Sequence, residues 1–128
     1  MRDLPMMNEY QQRLYCAMAL VEEADLVAMF RALRGHPART RAIDLVNAEL
    51  DKGGGLMDAF GNEHSALCAH FECGMPDIEV FRRANGWVDL WFETDNAGDS
   101  GQWMFRFDGD TLIEAISHEE WYKRKGFN

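Results

Sequence analysis

Between residues 77 and 117 the chain alternates apolar and polar residues at period two, the pattern of strands with one buried face. Trp87-Val88-Asp89-Leu90-Trp91-Phe92-Glu93-Thr94 sends Val88, Leu90 and Phe92 one way and Trp87, Asp89, Trp91 and Glu93 the other. Ahead of it stands Asp77-Ile78-Glu79-Val80-Phe81-Arg82, joined through Asn85-Gly86, a pair that suits a two-residue hairpin turn. That turn predicts Val80 opposite Trp91 and Phe81 opposite Leu90. One face then collects Phe81, Val88, Leu90 and Phe92; the other collects Ile78, Val80, Trp87 and Trp91 among Arg82, Asp89 and Glu93. Residues 102–107 and 111–116 make a second hairpin across Asp108-Gly109, and residues 95–101 between the hairpins have loop composition. Leu67, Ala69 and Phe71 alternate with Cys68, His70 and Glu72, which predicts a fifth strand ended by Gly74-Met75-Pro76.

The first third of the chain has the helical period instead. Leu14, Met18 and Val21 recur at i, i+4, i+7, and Leu26, Phe30 and Leu33 repeat the spacing. This is one long helix opened by Asn8 or two helices broken near residues 22–25, with Asp25 capping the second. Gly35-His36-Pro37 ends that segment and places Pro37 in the first turn of the next helix. The apolar face of that helix is Ala42 or Ile43, Val46 and Leu50, and Gly53-Gly54-Gly55 stops it. Residues 56–62 read as one short turn. Ser117-His118-Glu119-Glu120 spells a capping box, so a terminal helix covers 118–125, with Lys123, Arg124 and Lys125 in its last turn.

These elements predict one α+β domain over residues 1–128: helical 8–52, sheet 65–117, terminal helix 118–125. Two or three N-terminal helices pack on one face of a four- to five-stranded antiparallel meander. A chain of 128 residues buries enough surface to fold without staples. The three cysteines cannot all pair with one another, and neither a leader nor a run of roughly 20 apolar residues is visible. A cytoplasmic protein with reduced thiols, and no membrane partner, is the expectation.

Charge narrows the partner. Residues 1–64 hold 7 Lys/Arg and 10 Asp/Glu, and residues 65–128 hold 6 and 12, so the excess of −9 is weighted toward the sheet. Phosphate contacts need Lys and Arg, which argues against nucleic acid as a direct ligand and for attraction to a basic protein. Solubility alone is the plainer use of such charge.

Several constellations resemble chemistry in part. His64, Cys68, His70 and Cys73 are zinc-ligand types, yet the paired Cys-x2–4-Cys knuckle is missing. If the segment is a strand, His64, Cys68 and His70 share one face and Cys73 points away. Gly98-Asp99-Ser100-Gly101 carries the letters around a trypsin-like nucleophile, without a triad to serve it. Asp95, Asp99, Asp108 and Asp110 fail the EF-hand pattern, since Ala97 takes a ligand place, and turn chemistry explains them better. His118, Glu119 and Glu120 are accounted for by the capping box. Arg31, Arg34, Arg39 and Arg41 surround the Gly35 turn as a solvated helix face or as counterions of the acidic sheet.

No cofactor fingerprint is present, and no catalytic residue is assigned. What stands out is a sheet bearing Trp87, Trp91, Phe81, Trp103 and Met104, residue types enriched at interface cores. The functional expectation is a small acidic protein-binding protein that occludes a basic, nucleic-acid-binding type of site on a partner. Its size and charge are those of inhibitors, immunity proteins and phage-encoded anti-defence factors. The contact residues expected are Trp87, Asp89, Trp91, Glu93, Asp95, Asp99, Asp108 and Asp110. The alternatives are a small metal-dependent enzyme around His64, Cys68, His70 and Glu72, and a homodimeric structural module using the mixed sheet face.

Overall fold

The computed structural model describes residues 9–37, 41–61, 66–71, 77–93 and 102–125. Asn8, which the sequence reading made a cap, lies outside them. Helices α1 (Glu9–Leu20) and α2 (Glu23–Ala32) are separate, and the break falls at Val21 and Glu22. The N-cap is Glu22, in extended geometry at φ −62° and ψ 149°, and Asp25 sits inside the first turn rather than at the cap. Acids there still favour the positive end of the helix dipole. Gly35 takes φ 82° after α2, a conformation that costs a glycine nothing and lets the chain reverse. Pro37 stands in the turn ahead of α3 (Arg41–Asp51), whose buried face holds Ala42, Ile43, Val46 and Leu50.

Two short helices follow, α4 (Leu56–Gly61) and α5 (Ala66–Phe71). The second replaces the predicted fifth strand. Ala66-Leu67-Cys68-Ala69-His70-Phe71 contains no β-branched residue, and its alanines and leucine favour helix, so the short alternation misled. Leu67 is buried in the helical layer's core.

The sheet is a four-stranded antiparallel meander in the order β1 (Asp77–Arg82), β2 (Val88–Glu93), β3 (Trp103–Asp108), β4 (Thr111–Ser117). A helix α6 (His118–Lys125) follows β4 directly. Its cap is made as expected, the Glu120 N–H donating to Ser117 Oγ at 3.1 Å.

The β1–β2 register is one residue off the prediction. Val80 pairs with Leu90 and Phe81 with Asp89. The cause lies in the turn. Gly86 N–H donates to Arg83 C=O at 3.0 Å and Arg83 N–H to Trp87 C=O at 2.7 Å, with Gly86 at φ 95°. This is a three-residue loop ending in a glycine bulge, not a two-residue turn. Trp87 N–H donates to Asn85 Oδ1 at 3.0 Å and holds the bulge in place. A slip of one residue exchanges the faces of a strand. Ile78 and Val80 therefore join the core, and Phe81 turns outward at 47% exposure. In the second hairpin the loop residues are Gly109 and Asp110 between the paired Asp108 and Thr111. A register shift beside Arg106 and Phe107 leaves Ile113 unpaired in β4.

Helices α1, α2 and α4 meet the inner face of the sheet, and α3 and α5 pack on that helical layer. Phe30, Phe60 and Phe92 meet with ring centroids 6.0 to 6.4 Å apart, joining α2, α4 and β2. Phe105, Phe107, Val88 and Leu90 complete the strand side of that core. Asn47 is buried within it, its Nδ2 donating to the carbonyls of Phe30 and Ile43. Arg31 and Arg34 both bind Asp51 at the end of α3, so this part of the basic patch is answered by a helix and not by the acidic strands. Among the described residues no helix is long and apolar enough to cross a membrane.

Candidate functional site

The outer face of the sheet is where side chains unlike those of a core gather. Alternation places Glu79, Phe81, Asp89, Trp91, Met104, Arg106, Glu114 and Ile116 there. Helix α6 folds back over one end of it. Trp121 meets Trp91 edge-on at 5.6 Å, and His118 stacks on Trp121 at 6.2 Å and meets Tyr122 at 4.3 Å. Met104 and Ile116 are buried as a result, and a shallow concavity of about 830 Å³ remains between α6 and the β1–β2 turn.

A ladder of charges crosses this concavity. Asp89 is 3% exposed, and its carboxylate accepts from Arg106 Nε at 2.7 Å and Nη2 at 3.1 Å. Arg83 Nη1 lies 3.3 Å from the same carboxylate. Arg106 reaches Glu114 at 3.6 Å, and Arg124 reaches Glu114 at 2.8 Å and Glu120 at 3.6 Å. The hydrogen bond to Asp89 holds the Arg106 guanidinium above the usual arginine range, against the opposing effect of desolvation. Arg124 moves the same way on the strength of its bond to Glu114. The guanidinium of Arg106 also lies 5.9 Å from the centre of the Trp87 ring.

Six of the eight expected contact residues lie among the described residues. Trp87 and Trp91 are half-buried on the outer face, under Arg106 and against Trp121 respectively. Asp89 is buried, and its carboxylate is already held by Arg106 and Arg83 of its own chain. Trp103 departs from the sequence reading, for it stacks on Phe105 at 6.2 Å on the inner face. Its Nε1 has no hydrogen-bond partner among the described residues. Asp108 and Asp110 are exposed at the β3–β4 turn and make no ion pair among the described residues. Glu93 ends β2 at the other end of the sheet, and Asp95 and Asp99 lie outside the described residues.

The sequence reading put Arg82 on the mixed face but did not bring Arg83, Arg106 and Arg124 to it. Arg82, Arg83, Arg106 and Arg124 line the concavity with only Glu79, Asp89 and Glu114 as acids, so the face is not the carboxylate surface that composition implied. The charge count over residues 65–128 could not reveal this, because a sum along the chain does not show which side chains strand pairing and α6 bring together. Of the candidate metal set, His64 and Cys73 lie outside the described residues. Cys68 and His70 stand in α5, so the strand on which they were predicted to share a face is not formed. Among the described residues no group of three or more His, Cys, Asp or Glu is arranged to hold a metal ion. Compared with known proteins, the chain matches no family model, no curated protein and no solved structure.

Proposed function

We propose that this is a protein-binding protein of the inhibitor type, which docks the outer face of its sheet on a basic partner protein and occludes it. One observation carries the reading: the helical layer covers one side of the sheet, while the other presents Phe81, Trp91, Trp121 and Tyr122 beside a set of arginines. Trp, Tyr and Arg are the residue types that dominate binding energy at protein interfaces. The internal Asp89–Arg106–Glu114–Arg124 ladder keeps those side chains ordered before a partner arrives, which lowers the entropy lost on docking. Attraction to a basic surface comes from the net charge of −9 and from the exposed acids Glu79, Asp108 and Asp110, which make no ion pair among the described residues.

A photo-crosslinking residue tests this in source cells. Placed at Tyr122, on the rim of the outer face, it should give an adduct with a basic protein that fades as salt is raised. Placed at Tyr15, on the helical layer, it should give none. Equal labelling from both positions, or none from Tyr122, would defeat the reading.

A further inference from the structure

We infer that two copies of this chain pair through the outer edge of β1, making one continuous eight-stranded sheet across a two-fold axis at Phe81. The backbone pattern sets the edge. Arg83 N–H bonds Trp87 C=O, and hydrogen-bonded positions alternate along an antiparallel strand, so Phe81 and Glu79 bond inward to β2. Ile78, Val80 and Arg82 therefore turn their N–H and C=O groups outward, where β1 has no neighbouring strand among the described residues. The other edge, β4, is interrupted by the shift at Ile113 and continues straight into α6, devices that discourage pairing. β1 has neither, and its six pairs with β2 run without a break.

The occupant is argued from what the edge presents. A groove of about 720 Å³ runs between α1 and β1, lined by Cys16, Leu20 and the strand from Ile78 to Phe81. Leu20 and Phe81, two of the most exposed large apolar residues, are in it at 50% and 47% exposure. Glu79 is exposed and makes no ion pair among the described residues. A second β1 laid antiparallel with Phe81 on the axis brings Phe81 against its own copy at a non-hydrogen-bonded site, where side chains come closest. The same register sets Glu79 opposite Arg83 of the second copy, twice by symmetry, and lets Val80 and Arg82 supply the ladder bonds. Shifting by two residues toward the strand's start would set Val80 on the axis and leave Glu79 opposite Phe81. Shifting by four would set Glu79 against Glu79. Of these, only the first register sets the exposed Phe81 ring against its own copy and Glu79 against a cation. Because the axis is perpendicular to the sheet, both outer faces stay on one side, and the pairing stands whether or not that face binds another protein.

Sedimentation equilibrium at micromolar concentrations should report a species of twice 14.7 kDa. A monomer at every concentration up to about 100 µM, a Kd weaker than about −5.5 kcal/mol of association, would overturn the proposal. Glu79→Arg should raise the dimer dissociation constant about tenfold by setting like charges opposite each other, with an unchanged far-UV spectrum showing that the fold survives. Oxidative crosslinking in a background with Cys16, Cys68 and Cys73 all changed to Ser fixes the register. Phe81→Cys alone should give a covalent dimer and Glu79→Cys alone should not. Crosslinking through Glu79→Cys only, or through neither, would overturn it.

Discussion

Asp89 shows how a single residue can read one way in sequence and act another way in the fold. In the strand pattern it is an acid on a mixed face; in the structure it is the hub of that face, with Arg106 bound through two nitrogens and Arg83 beside it. Removing one partner of a buried pair leaves the other charge stranded, which costs more than the pair contributes. Asp89→Ala should therefore lower unfolding free energy by about 2–3 kcal/mol in urea denaturation, the lower end because Arg106 keeps 20% of its side chain in water. Asp108→Lys and Asp110→Lys, both exposed, should change it by less than about 0.5 kcal/mol. If all three substitutions cost the same, the ladder has no special part in the fold. The charge pattern along the chain showed the acid in this pair but not its partners, because Arg83 and Arg106 reach it through strand pairing and not through local sequence.

At the scale of elements, what was legible followed from long periodic runs and local caps. The helical stripes of Leu14 to Val21 and of Ile43 to Leu50, the meander of four strands and the Ser117 cap are all local patterns, and the structure has them. Two things were not local. Asn85-Gly86 serves equally in a two-residue turn or as the end of a longer loop, and only the hydrogen bonds at Arg83 select between them. Residues 66–71 alternate for too few positions to separate a strand from a helical turn. Both elements give predictions. Gly86 at φ 95° makes Gly86→Ala cost about 1 kcal/mol or more, through backbone strain, since a Cβ there would meet nothing within 4 Å. Ser117→Ala should cost about 1 kcal/mol by leaving the Glu120 N–H without its cap. It should also shift tryptophan emission to the red, because α6 carries Trp121 against Trp91. Unaltered emission would mean that the ring cluster, not the cap, holds α6 down.

For the molecule as a whole, the question is whether the helical layer and the sheet stand or fall together. Few rings connect them: Phe30 of α2 and Phe60 of α4 close on Phe92 of β2, and His36 rests edge-on against Phe105 at 6.5 Å. Phe92 is fully buried, so its truncation opens a cavity between the layers in addition to losing its own burial. Phe92→Ala should cost about 3–5 kcal/mol, a large part of the stability of a domain of this size. The manner of the loss is more telling than its amount. Three tryptophans sit in or beside the strands and one on α6, so emission reports the sheet, whereas far-UV ellipticity reports chiefly the helices. With a shared core, the two signals should fall in a single transition at one denaturant midpoint, both in the parent chain and in Phe92→Ala. Midpoints that separate in the variant would show that the sheet keeps its structure without the helices. The outer face and the β1 edge would then belong to a unit whose order does not depend on the helical layer, and the rings between them would serve to position α1 beside the edge instead of to hold the sheet together.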